Sequence, residues 1–139
     1  MKRLILLPAS ILISLLLVSC SGIPSGYISR EEHFQQGGFQ DYTDYAKYVY
    51  DSMSAFENNS DYKPVLESDA AVIKGYTQDF KSWMSAADRL NEYDFDDSCI
   101  TVGDFYRLLI KYKNDVYSNY TLWFFDSETA TLYYFHNNT

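Results

Sequence analysis

The spacing of apolar and charged residues divides the chain into three parts. Residues 4–19 contain no charged side chain. Residues 21–40 are interrupted by Gly and Pro and show no apolar periodicity, which is typical of a linker. From Asp41 onward, apolar residues recur at the spacings of regular structure. We therefore predict a signal segment at residues 1–19, a flexible tether at residues 20–40 and one domain at residues 41–139.

The first half of this domain has the periodicity of two helices. The first begins after a cap at Asp41 and repeats apolar residues at helical spacing: Tyr42, Tyr45, Ala46, Val49, Met53 and Phe56. The second begins at Pro64 or Ser68 and carries a longer apolar stripe: Val72, Ile73, Tyr76, Phe80, Trp83, Met84, Ala87 and Leu90. We expect the two helices to pair as an antiparallel helical hairpin.

Residues 101–113 fit either a helix or a strand. Thr101 and Asp104 have the spacing of a capping box, and helical spacing follows at Phe105, Leu108, Leu109 and Tyr112. The alternation of Tyr106, Leu108, Ile110 and Tyr112 is instead that of a strand. We favour a short third helix here.

The C-terminal end has the composition of a β-hairpin. Residues 119–125 and 130–136 are rich in aromatic and other β-prone residues, and turn-forming residues 126–129 separate them. A bare hairpin is marginally stable, so it must pack on the helices or pair with another strand. The predicted fold class is α+β, with the helices first and the hairpin last.

The end of the N-terminal segment carries a more specific motif. Met1-Lys2-Arg3 is positively charged, and the uncharged run after it is shorter than the ~20 apolar residues of a membrane-spanning helix. Leu17-Val18-Ser19-Cys20 resembles the lipobox of bacterial lipoproteins. The resemblance implies that the Cys20 thiol receives a diacylglyceryl group and that the chain is cut just before it. It also implies a location outside the cytoplasmic membrane, or on the outer membrane of a host that has one.

Charge narrows the set of partners. The chain has a formal net charge of −8, and only Lys2 and Arg3 among its basic residues lie in the signal segment. The acidic remainder repels phosphate backbones, so nucleic acid is not an expected partner. No polybasic segment attracts an anionic bilayer, and the acyl chains on Cys20 must hold the protein at the membrane.

The residues that could carry catalysis form no known motif. There is no G-x-S-x-G, and His33 and His136 are the only histidines. Cys99 is expected to be a small buried residue. Asp94 to Ser98 begins like a calcium loop, but it lacks the Gly and Glu that such a loop requires. We predict no enzyme activity, no metal and no cofactor.

Two functions remain open. The aromatic hairpin could expose Trp123 and Tyr133 to stack on a sugar ring or to anchor a protein, which favours a binding module for an envelope protein or glycan. The alternative is an envelope enzyme or inhibitor with a site of acidic residues.

Overall fold

The computed structural model describes residues 22–37, 42–111 and 119–138. Six strands form one antiparallel sheet in the order β1-β2-β6-β5-β4-β3. The strands are β1 (Ser29–Gly37), β2 (Tyr42–Val49), β3 (Lys63–Pro64), β4 (Phe105–Ile110), β5 (Asn119–Asp126) and β6 (Thr131–Asn138). The helices are α1 (Ser54–Glu57) and α2 (Glu67–Ala86), and short 3-10 turns lie at Leu90–Glu92 and Asp97–Cys99.

The expected α+β fold with a helical hairpin is wrong, because the first predicted helix is mainly strand β2. Tyr45 packs on the α2 side of the sheet, while Ala46 and Tyr48 pack on the opposite side. A strand that is buried on both faces shows no polar alternation, so its apolar residues can fall at helical spacing by coincidence. The aromatic and β-branched composition of this segment then favours the extended chain. Only the last part of the predicted helix is helical, in α1.

The predicted third helix is also wrong, and the alternative of a strand is correct. Residues Phe105–Ile110 form β4, which pairs with β5. The motif before it makes one contact of a capping box, since the Thr101 N–H donates to the Asp104 carboxylate at 2.9 Å. The Thr101 hydroxyl donates to the same carboxylate at 3.1 Å. The buried Asp104 also accepts from the Ser127 N–H at 2.9 Å. The carboxylate therefore fixes a turn beside the β5–β6 connection instead of beginning a helix.

Two predicted elements are present at nearly the expected bounds. Helix α2 begins at Glu67 and buries Ile73, Tyr76, Thr77, Phe80 and Met84 against the sheet. Strands β5 and β6 pair with each other in an antiparallel hairpin. The hairpin is not a C-terminal appendage, because β2 and β4 pair with its two outer sides and place it at the centre of the sheet.

The segment predicted as a tether contains regular structure. Residues 29–37 form β1, which pairs with β2 along its length. The residues before it, Gly22–Ile28, cross the sheet face opposite α2, and we call this segment the strap. It joins the sheet where the Ile28 N–H donates to the Val49 carbonyl at 2.7 Å. Strand β1 carries three consecutive charged residues, Arg30, Glu31 and Glu32, and one large apolar residue, Phe34, so apolar periodicity could not reveal this edge strand.

The sheet separates two hydrophobic clusters. The first lies beneath α2 and includes Phe80, Phe95, Phe124 and Phe135. The second lies on the other face, which we call the strap face, and it includes Ile23, Phe56, Tyr62, Trp123, Phe125 and Leu132. Phe56 of α1 stacks on Phe125 with ring centroids 3.9 Å apart. The strap face is thus covered by the strap, by α1 and by Tyr62.

Both clusters should contribute to stability. We expect Phe80→Ala, beneath α2, and Phe56→Ala, on the strap face, each to lower the free energy of unfolding by about 3–5 kcal/mol, because both side chains are fully buried. Urea unfolding followed by circular dichroism measures the change. Val102→Ala is the control, since Val102 is exposed and should change stability by less than about 0.5 kcal/mol. If Phe56→Ala lowered the free energy of unfolding by no more than Val102→Ala, the packing on the strap face would not contribute to stability.

Candidate functional site

The two aromatic residues predicted to bind a ligand lie on opposite faces of the sheet. Trp123 faces the strap and is 4% exposed. Tyr133 is half-buried on the α2 side, with its ring centroid 4.8 Å from that of Phe95. Trp123 and Tyr133 therefore do not form one surface, and each contributes to a different hydrophobic cluster.

Trp123 is the centre of a contact that joins the strap to the sheet. The Arg107 guanidinium lies over the indole, 4.7 Å from the ring centroid. A Cβ at Gly22 would lie 2.9 Å from Cζ2 of Trp123 and 2.6 Å from Nη1 of Arg107, so only glycine fits at this approach. Gly22 also has a φ of +71°, which glycine adopts readily.

Hydrogen bonds fix the strap beyond this contact. The Tyr62 hydroxyl donates to the Gly22 carbonyl at 2.9 Å, and the Tyr50 hydroxyl donates to the Pro24 carbonyl at 2.7 Å. Ile23, between them, is buried in the cluster of the strap face. Burial raises the pKa of both tyrosines, so their hydroxyls stay protonated and remain donors at all moderate pH values.

A cleft of about 550 Å³ lies on the opposite side of the molecule, between α2 and the loop that follows it. It is lined from α2 by Thr77, Gln78 and Lys81, and from the loop by Leu90 and residues 93–97. This volume lies within the range of small-molecule sites, ~300–1,000 Å³. The lining combines aromatic rings with amide, ammonium and carboxylate groups.

The carboxylates of this loop are held by the protein's own donors. Asp94 accepts from the Tyr45 hydroxyl and from the Lys47 ammonium, each at 2.5 Å. Partial burial of Asp94 disfavours its ionised form, but the hydrogen bonds from Lys47 and Tyr45 outweigh this and lower its pKa. Burial, and then the same hydrogen bond to Asp94, raises the pKa of Tyr45. Asp94 is therefore an ionised structural link between β2 and the loop.

The other two aspartates of the loop are engaged in a similar way. Asp96 accepts from the Ser98 N–H at 2.9 Å, and the hydrogen bonds from Ser98 lower the Asp96 pKa. Asp97 accepts from the Gln78 amide at 3.0 Å. Among residues 22–37, 42–111 and 119–138, no group of three or more His, Cys, Asp or Glu side chains is arranged to hold a metal ion.

The structure also separates Cys99 from His136. Cys99 packs on the α2 side, and burial raises the pKa of its thiol to about 12. At neutral pH the thiol is therefore protonated and a poor nucleophile. His136 lies on the other face, where its Nδ1 is 2.8 Å from the Thr121 hydroxyl. Burial lowers the pKa of His136, which favours the neutral imidazole.

The predicted lipidation site, Cys20, lies outside the described residues and stays a prediction. Within the part of the chain that the structure describes, no helix has both the length and the apolar character of a membrane span. Comparisons with protein-family models, with curated proteins and with solved structures gave no match.

Sequence reasoning missed both the strap and the cleft. The strap was hidden because Gly22, Pro24 and Gly26 are typical linker residues, and a single apolar residue between them, Ile23, is a weak signal. The acidic turn that borders the cleft was visible, but its position depends on contacts between residues distant in sequence, Lys47–Asp94 with β2 and Gln78–Asp97 with α2.

The contact between Gly22 and Trp123 can be tested with two matched variants. Gly22 and Gly26 both have positive φ, so alanine at either should cost about 1–2 kcal/mol of backbone strain. Only at Gly22 would the new Cβ also meet Trp123, because nothing lies within 4 Å of a Cβ at Gly26. In a Trp83→Phe background, we expect Gly22→Ala to increase acrylamide quenching of Trp123 fluorescence. Gly26→Ala should leave the quenching unchanged, and equal quenching in the two variants would contradict the contact.

Proposed function

We propose that this protein is a lipoprotein, anchored through Cys20 outside the cytoplasmic membrane, whose domain is a binding module for an envelope protein or glycan. The anchor rests on the lipobox-like Leu17-Val18-Ser19-Cys20 after an uncharged segment. The observation that carries the proposal is that Gly22, two residues after Cys20, is already packed against the sheet. Cleavage before Cys20 would therefore leave every residue that the structure describes attached to the lipid.

The binding role is supported by the cleft between α2 and the loop at residues 93–97. The exposed Gln78 and Lys81 offer donors at its rim, and Leu90 offers apolar contact. Asp94 and Asp97 are already oriented by hydrogen bonds, so little ordering entropy is lost when a ligand contacts them. The acidic loop and the net charge of −8 disfavour nucleic acid as this ligand.

The anchor predicts a change at one residue. Cys20→Ala removes the only thiol in the motif, so we expect loss of acyl labelling and accumulation of an unprocessed precursor. Metabolic labelling with a fatty-acid analogue, followed by intact-mass measurement, distinguishes the two species. Cys99→Ala is the control, because a half-buried thiol inside the domain should play no part in anchoring. Labelling that survives Cys20→Ala would refute the lipoprotein proposal.

The cleft predicts where a ligand contacts the domain. A photo-crosslinking residue in place of Gln78 or of Lys81 should give covalent adducts with an envelope component in intact cells, because both side chains are exposed at the cleft. The matched control replaces Glu67, which is also exposed on α2 but does not line the cleft. Mass spectrometry identifies the adducts as protein or glycan. Equal adduct yields from cleft and control positions would contradict a ligand site in the cleft.

A further inference from the structure

The point where the predicted anchor leaves the domain is fixed by covalent geometry. Ser21 alone separates Cys20 from Gly22. Consecutive Cα atoms are about 3.8 Å apart, so the Cα of Cys20 lies no more than about 7.6 Å from that of Gly22. If Gly22 is held, the lipidated residue must therefore stay close to the same place on the domain.

Gly22 is held from several sides. Its carbonyl accepts from the Tyr62 hydroxyl, and its Cα lies against the indole of Trp123. The next residue, Ile23, is buried, and Pro24 accepts from the buried Tyr50. Detaching Gly22 would expose apolar surface of Ile23 and Trp123 and would break these hydrogen bonds. The attachment point therefore cannot swing away from the sheet without a loss of core contacts.

We propose that the domain is held directly against the membrane by this attachment, with the strap face toward the phospholipid headgroups and the α2 face, with its cleft, toward the outside. This inference rests on the proposed lipid anchor and adds an orientation to it. A free tether of residues 20–40 would have let the domain rotate freely at a distance of about 25 Å from the membrane surface. The packed strap removes that freedom.

The charge near the attachment point agrees with this orientation. Arg107, over Trp123, places a guanidinium beside Gly22 in a chain of net charge −8. Asp61 approaches Nη1 of Arg107 at 3.9 Å, and the Arg107 side chain is 24% exposed, so the guanidinium is accessible to headgroup phosphates. On the opposite side of the sheet, the loop carrying Asp94, Asp96 and Asp97 borders the cleft, so this cluster of three carboxylates lies on the side that would face away from the bilayer.

The two tryptophans of the chain report on the orientation. Trp123 lies on the strap face beside Gly22. Trp83 belongs to α2, and its ring centroid lies 5.6 Å from that of Phe34 on strand β1. Because β1 and β5 are three strands apart in the sheet, the two positions differ by roughly 14 Å across the sheet, in addition to the sheet's thickness. Headgroup contact should therefore affect Trp123 far more than Trp83.

The test uses the acylated full-length product, purified from membranes and reconstituted into phosphatidylcholine vesicles that contain a headgroup-nitroxide lipid. Intact mass first verifies the lipid on Cys20. Trp83→Phe leaves Trp123 as the only tryptophan, and Trp123→Phe leaves Trp83. We expect the nitroxide to quench a larger fraction of Trp123 than of Trp83 fluorescence. If Trp123→Phe does not fold, Trp83 emission is obtained as the difference between the wild type and Trp83→Phe.

A linker variant separates orientation from simple proximity. Inserting about ten Gly and Ser residues between Ser21 and Gly22 adds roughly 18 Å of free reach. In the Trp83→Phe background, this insertion should reduce the quenching of Trp123 toward the level of Trp83. Equal quenching of the two tryptophans in verified acylated protein, or no effect of the insertion, would overturn the fixed orientation but leave the anchor intact. Absence of the lipid on Cys20 would instead overturn the proposed function.

Discussion

The burial of the central strands on both faces is the constraint on which this structure depends. Strands β5 and β6 carry large apolar side chains in both directions, so one helix cannot cover them. Helix α2 covers one face, and the strap, α1 and Tyr62 cover the other. The strap completes the core of the strap face, so Gly22 and Ile23 are held against the sheet. A lipid on Cys20, as we propose, would therefore be attached close to this face.

A small number of local contacts hold the strap against the sheet. Gly22 lets the backbone approach Trp123 where a side chain could not fit. Two tyrosine hydroxyls donate hydrogen bonds to the carbonyls of Gly22 and Pro24. The same geometry keeps polar backbone groups satisfied at the edge of an apolar cluster. On the α2 side, the link from Lys47 and Tyr45 to Asp94 sets the loop that borders the cleft. The lipid side and the ligand side that we propose are thus built on opposite faces of one sheet.

Whether an element could be predicted from the sequence depended on how clearly its buried residues repeat at the spacing of a helix or a strand. Helix α2 was predictable because only one of its sides is buried, and β5 and β6 were predictable from their aromatic and β-branched composition. Strand β2 was read as a helix because both of its faces are apolar, so no alternation marks it. Of the candidate site residues, Trp123 and Tyr133 were correctly placed in strands. The spacing of residues along the chain could not show that other elements pack over these two side chains. The cleft needed long-range contacts that no local pattern contains.

The most direct test of the account concerns the strap itself. Backbone amide order parameters of residues 22–28 can be measured by NMR relaxation on the chain without residues 1–19 and with Cys20→Ser. The packed strap predicts values near about 0.85, like those of the strands, together with nuclear Overhauser contacts between Gly22 and the Trp123 indole. Values below about 0.6 and no contacts to Trp123 would show a free tether, and would contradict both the second core and the fixed orientation.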